Sequence, residues 1–126
     1  MKKLRKHILL SSLFLLAISV ISSCKNDDPS VLKIFVRSAS NELQNGAKVV
    51  IIGDVNSNPA TLAYVDTVIT NASGFATFNM DDYFDKSGAD NTTGYFDVIV
   101  KQGTSEGTEY VRCRAHITTV ETVFLH

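Results

Sequence analysis

The chain has no tryptophan and, in 126 residues, only two prolines, two cysteines and three histidines. Each scarcity excludes something. His7 lies near the start and His126 is the last residue, so His116 is the one histidine inside the body of the chain. A serine or cysteine nucleophile needs such a base within reach, usually oriented by a carboxylate. Strand alternation sets His116 on the face opposite Cys113, which disfavours that pair. No zinc-type ligand spacing is present. Basic clusters are missing beyond residue 6: four of the 12 Lys and Arg fall in residues 1–23, leaving eight against 13 acids, a formal charge of −5. Nucleic acid is therefore not an expected partner. An apolar run of membrane-spanning length is missing too, because the longest, Ile8 to Ile21, has 14 residues where a spanning helix needs roughly 20.

What is present at the start is ordered. Lys2, Lys3, Arg5 and Lys6 precede the apolar run, a charged region followed by a hydrophobic one, which predicts a cleaved signal peptide over residues 1–23. Ile21-Ser22-Ser23-Cys24 resembles the lipobox of bacterial lipoproteins. That resemblance implies that Cys24 is acylated, with palmitate-class chains, and becomes the mature N-terminus. Each buried methylene contributes about 0.8 kcal/mol, and two or more chains hold stably where one is marginal. Residues 24–30, with Lys25, Asn26, Asp27, Asp28, Pro29 and Ser30, read as a lipidated tether. Lys25 in place of an aspartate favours the outer membrane. Asp27 and Asp28 resemble an acidic surface-export tag or form a plain solvated linker, so the domain faces either the periplasm or the outside.

Residues 31–126 fit one domain with one modest core. Short runs rich in Val, Ile, Thr, Tyr and Phe recur between Gly, Asn, Asp and Ser clusters, which predicts an all-β sandwich or barrel. Seven strands are expected: Leu32 to Ser38, Ala47 to Ile52, Leu62 to Thr70, Phe75 to Met80, Tyr95 to Lys101, Glu109 to Thr118 and Thr119 to Leu125. Asn45-Gly46, Asn58-Pro59 and Asn71-Ala-Ser-Gly74 favour tight reversals, the last as a hairpin. Asp81 to Gly94 reads as a longer connection in which Tyr83 and Phe84 dock on the sandwich edge as a one-turn lid. Val111, Cys113, Ala115 and Ile117 share one strand face, so Cys113 reads as a small buried hydrophobe.

Asn45-Gly46-Ala47-Lys-Val49, Asp66-Thr-Val-Ile-Thr70 with Gly74-Phe-Ala-Thr-Phe78, and Tyr95-Phe-Asp-Val98-Ile-Val100 together resemble the carboxypeptidase regulatory-like, or transthyretin-like, domain. The resemblance implies a single seven-stranded antiparallel Greek-key sandwich, transthyretin-like or Ig-like. It implies no particular function, because such domains serve as spacers, adhesin modules and appendages. Transthyretin-like hydrolases need several active-site histidines and a basic C-terminal motif; this chain ends Glu121-Thr-Val-Phe-Leu-His126. A stitching isopeptide would use Lys33, but no asparagine follows Asn91.

Three further sites are open. Asp81, Asp82, Asp85, Asp90 and Asn91 crowd one connection, as a calcium site or a solvated acidic loop, without the Asp-x-Asp-x-Asp-Gly spacing. Of the aromatics Tyr64, Tyr83, Phe84, Tyr95 and Tyr110, only Tyr83 and Phe84 are adjacent on a loop, making them the expected ligand contact. Asp66-Thr67-Val68 resembles a bacterial O-glycosylation acceptor, with Thr67 the modified residue. The expected function is that of a non-catalytic, membrane-anchored envelope lipoprotein, without cofactor, acting as a binding or assembly module for envelope proteins or glycans. The alternative is a carbohydrate-binding accessory of a surface polysaccharide-uptake system.

Overall fold

A computed structural model describes residues 27–126. The expected signal peptide over 1–23, the lipidation site Cys24 and the first tether residues lie outside them. The elements are β1 (Val31–Arg37), β2 (Lys48–Gly53), β3 (Val65–Ile69), β4 (Phe75–Asn79), α1 (Asp81–Ser87), β5 (Thr93–Gln102), β6 (Ser105–Arg114) and β7 (Thr118–Phe124). Alternation drives their assembly. In β1, Leu32, Ile34 and Val36 are fully buried while the residues between them are partly exposed. β2 and β5 repeat the pattern with Val49 and Ile51, then Phe96, Val98 and Val100. Strands with one apolar face are stable only when two such faces meet.

They meet as two sheets, one of order β4-β1-β7 and one of order β3-β2-β5-β6. Their inner residues form a single core that also takes in Phe78, Met80, Val111 and Val123. The all-β expectation holds at this level. The antiparallel expectation does not hold throughout, because β7 runs parallel to β1 from Val31↔Thr118 to Arg37↔Phe124. No tight turn can join parallel neighbours; the chain reaches β7 only after building the whole other sheet.

The connections differ from expectation in three places. Asn71 to Gly74 is a tight reversal, with Gly74 N–H on the Asn71 carbonyl (2.9 Å) and the Asn71 side chain accepting from Ser73 N–H (3.0 Å). It is not a hairpin within a sheet. β3 pairs with β2 and β4 with β1, so the turn carries the chain from one sheet to the other. The long hairpin lies elsewhere, joining β5 and β6 through Gly103-Thr104 with Gln102 opposite Ser105. Gly103 has φ +60°, the left-handed first position of a type II′ turn, which favours glycine. β6 thus begins at Ser105 rather than Glu109. It also ends sooner: His116 sits at φ +64° in the turn before β7, leaving Ile117 44% exposed and off the face that Val111 and Cys113 share.

The expected one-turn lid is a two-turn helix, α1. Asp81 and Asp82 occupy its first turn, where the helix dipole favours acids. Tyr83 and Phe84 turn inward, 1% and 8% exposed. They plug one end of the core. Tyr83 packs edge-on to Tyr64, Phe84 and Phe96 at centroid distances of 5.5, 5.0 and 5.2 Å, and its hydroxyl accepts Leu62 N–H at 3.1 Å. At the other end, Glu106 and His126 exchange both backbone bonds (3.1 and 2.9 Å), drawing β6 to the end of β7. Gly107 makes this approach possible: a Cβ there would press on the Phe124 carbonyl and come within 2.8 Å of Val123 Cγ1.

Ser30, placed in the tether by sequence, belongs to the domain. It is 1% exposed, donates its N–H to Asp81 Oδ1 (2.8 Å), accepts His116 N–H on its hydroxyl (2.7 Å) and accepts Met80 N–H on its carbonyl (2.8 Å).

Candidate functional site

The outer face of the four-stranded sheet is unusually apolar for a surface that faces solvent. Register aligns its side chains in rows. Val65, Ile52, Asp97 and Tyr110 make one; Thr67, Val50, Ile99 and Thr108 the next; Ile69, Lys48, Lys101 and Glu106 a third. Val65 and Ile69 are 67% and 55% exposed and Tyr110 49%. Charge flanks these rows: Lys101 and Glu106 pair at 3.3 Å in the third, an exposed contact of little energetic weight, and beyond the first Arg112 and Arg114 face Tyr95 and Thr93.

Tyr110 is exposed yet held in place. Its ring stacks on Tyr95 with centroids 6.0 Å apart and planes 17° from parallel, and its hydroxyl donates to Asp54 Oδ2 at 2.8 Å. Asp54 is fixed in turn, its backbone N–H on the Tyr95 carbonyl (2.9 Å) and its Oδ1 accepting Asn56 N–H (3.0 Å). The hydrogen bond to Asp54, then lost hydration and the charges of Asp54 and Asp97, push the Tyr110 phenol up to about 12. It stays protonated at any physiological pH. A surface side chain ordinarily samples several rotamers; this one is tied at ring and hydroxyl.

Beside the ring lies an open cleft of about 420 Å³. Ile52 and Ile99 contribute apolar surface, Tyr110 a ring face, and Asp97 and Thr108 oxygen acceptors. Apolar walls with a few convergent polar groups are the usual make-up of a ligand site.

The sheet's edges are less open than its face. Val65, Thr67 and Ile69 alternate with the residues that bond β2, so their backbone groups point outward, yet Thr67 N–H is taken by the Asp66 carboxylate at 2.8 Å. On the opposite edge Tyr110 N–H is likewise taken by Glu109 Oε1 at 3.2 Å. Carboxylates on an edge discourage strand addition.

The residues singled out by sequence are scattered. Tyr83 and Phe84, the expected ligand contact, turn into the core, with Phe84 also at the wall of the cleft lined by Ser30, Asp81 and His116. The distinction missed was which aromatics face out. Alternation carried that signal, since Tyr95 shares parity with Asp97 and Lys101, and Tyr110 with Arg112. Asp81 binds Ser30 N–H. Asp82, Asp85, Asp90 and Asn91 lie along α1 and the loop after it, and among the described residues no three His, Cys, Asp or Glu side chains form a metal-holding group. Thr67 is exposed on β3. Cys113 is a fully buried free thiol whose desolvation pushes it up to about 11. Lys33, on the outer face of the other sheet, sits 3.9 Å from the Phe75 ring centroid and 5.1 Å from that of Phe35.

A second cleft, about 280 Å³, brings His116 near Asp81, Asp85 and Ser30. Its parts are engaged structurally. The Ser30 hydroxyl receives the His116 backbone N–H, and the His116 ring bonds the Asp28 carbonyl through Nδ1 at 2.9 Å.

Fold and face together define a class: an all-β, sandwich-like domain with one short helix and an aromatic outer face. No protein-family model matches the chain, and no curated protein does. Among solved structures it is similar to the Bacillus anthracis TIE protein, with TM-score 0.50 and 14% identity over 78% of this chain. The match spans 16% of that protein, and at this identity it concerns the fold alone. No helix among the described residues is long and apolar enough to cross a membrane.

Proposed function

We propose that this chain is a non-catalytic, membrane-anchored envelope lipoprotein, held in the outer membrane by acyl chains on Cys24, that acts as a binding module through the outer face of its four-stranded sheet. The observation that carries the binding role is the Tyr110 ring, exposed beside an apolar cleft and held by Tyr95 and Asp54. Ordering a side chain that contributes nothing to the core has an entropic cost, and a binding surface gains from it because that ordering need not occur on association. The anchor rests on the charged start, the 14-residue apolar run and Ile21-Ser22-Ser23-Cys24. Two sheets of three and four strands are compatible with the finer reading, a transthyretin-like Greek-key sandwich of the carboxypeptidase regulatory-like kind. Exposure of Thr67 on β3 leaves it accessible for O-glycosylation.

Radiolabelled palmitate incorporation in wild type and Cys24→Ala tests the anchor, with protease digestion of intact cells in parallel. The expected result is labelling that vanishes in the variant. Shaving of the wild-type domain from intact cells would place it outside, and protection would place it in the periplasm. Absence of label in the wild type would remove the anchor. The binding role is tested by a photo-cross-linker at Thr108 in living cells: a Tyr110-dependent adduct is expected, and its absence would remove the face as a binding surface.

A further inference from the structure

We propose that the Tyr110 cleft seats an uncharged polysaccharide, whose sugar C–H surfaces lie on the aromatic ring and whose hydroxyls donate to Asp97 and Thr108. The proposal rests on reading this face as a binding surface and names its ligand class. Three features converge on it. First, the ring offers its face, the electron-rich side that attracts weakly positive C–H groups, in an orientation fixed by the 6.0 Å stack on Tyr95 and the 2.8 Å bond to Asp54.

Second, the polar groups inside the cleft are mainly acceptors, with Arg112, opposite Tyr95 on the same face, a cation outside its lining. Asp97 is a carboxylate, which when ionised only accepts, and Thr108 can also donate. A hydroxyl-rich ligand can satisfy every one of them by donating, through charge-assisted bonds. A peptide would bring carbonyls for which the cleft's own lining offers only Thr108 as a side-chain donor, and an unpaired buried acceptor is costly. Asp97 in the cleft and Asp54 beside the ring disfavour phosphate, sulfate and uronate groups there.

Third, the apolar surface continues past the cleft as two rows crossing β5 and β2 to β3, ending at Val65 and Thr67. Three inter-strand spacings make about 14 Å, a length suited to successive sugars of a chain rather than to a single small cation held by ring and acids. Lys48, Lys101 and the Lys101–Glu106 pair bound the stripe on one side.

The test uses the full chain, solubilised in neutral detergent and immobilised. It is challenged with fluorescent dextran, laminarin, mannan, xylan and galactan, with alginate and heparin as anionic probes and polylysine as a cationic one. Saturable binding of at least one neutral polysaccharide is expected, weakened about tenfold by Tyr110→Ala, the loss of one good aromatic contact. Tyr110→Phe, which keeps the ring but releases it from Asp54, should weaken binding about threefold. Phe124→Ala, an exposed aromatic of the other sheet (48%), should leave it unchanged. Binding of no neutral polysaccharide, a preference for the anionic or cationic probes, or binding indifferent to Tyr110→Ala would each overturn the proposal. The Thr108 cross-linker separates the two readings. A Tyr110-dependent adduct in cells without polysaccharide binding removes the glycan and leaves the binding face; neither adduct nor binding removes both.

Discussion

Two groups of aromatic side chains lie on opposite sides of the four-stranded sheet and behave differently. Tyr64, Tyr83, Phe84 and Phe96 interlock edge to face inside the core, while Tyr95 and Tyr110 stack on the outer face of the sheet. Tyr95 and Phe96 are neighbours in sequence, and the strand's pleat sends one to each group. Residue type does not separate them, since tyrosines occur in both. What separates them is which side of a strand faces the other sheet, and hence whether a ring supports the fold or is left available to a ligand.

Truncating the inner group should give the largest effects. Phe96→Ala and Tyr83→Ala are each expected to destabilise the domain by about 3–5 kcal/mol, from lost burial and the cavity left behind, measured by urea unfolding. A loss under about 1 kcal/mol at both positions would dissolve the contrast between the groups. Tyr83→Phe is more pointed. It keeps the ring and removes only the acceptor for Leu62 N–H, so a loss of about 1 kcal/mol is expected.

The outer group should respond to pH instead. Because the folded state holds the Tyr110 proton more tightly than the unfolded chain, raising the phenol from 10.0 to about 12, its contribution is complete below pH 10 and disappears as pH rises through 12. Tyrosinate absorbance of wild type minus Tyr110→Phe should show a late-titrating phenol, and Asp54→Ala should return it toward the ordinary range. An unshifted phenol would mean that Asp54 does not hold the ring. Tyr64 is raised too, chiefly by burial, which is why the difference spectrum is needed.

Two smaller effects sharpen the comparison. Cys113 sits in the core, with its thiol pushed up to about 11, so thiol reagents should label it only on unfolding; rapid labelling of the native domain would contradict its burial. Tyr110→Ala should lower the urea midpoint only slightly, because the ring adds nothing to the core and its hydroxyl bond to Asp54 is exposed. A marked drop would make Tyr110 a structural residue and weaken its assignment to binding.

Much of the fold was legible from alternation. Leu32, Ile34 and Val36 point inward as their spacing predicts, and the starts of the strands at Phe75 and Thr118 fall within one residue of expectation. α1 was harder to read, because seven residues are too few for helical periodicity to stand out and its acids resemble a loop. The hairpin at Gly103 was hidden by the polar run Ser105-Glu-Gly-Thr108, which reads as a turn but pairs with β5 over its whole length. The candidate site was legible in part: parity placed Tyr95 and Tyr110 on outward faces, while their adjacency depends on the diagonal register of β5 against β6.

The sequence by itself determined the all-β class, the inward set of β1 and the acidic balance after residue 23, because these follow from local composition and the two-residue period of a strand. Only the tertiary structure decided that β7 lies parallel to β1, that Tyr83 closes the core, and that Asp54 meets Tyr110 across 56 positions of chain. Those contacts join residues that no local period relates, and packing two sheets onto one core is what brings them together.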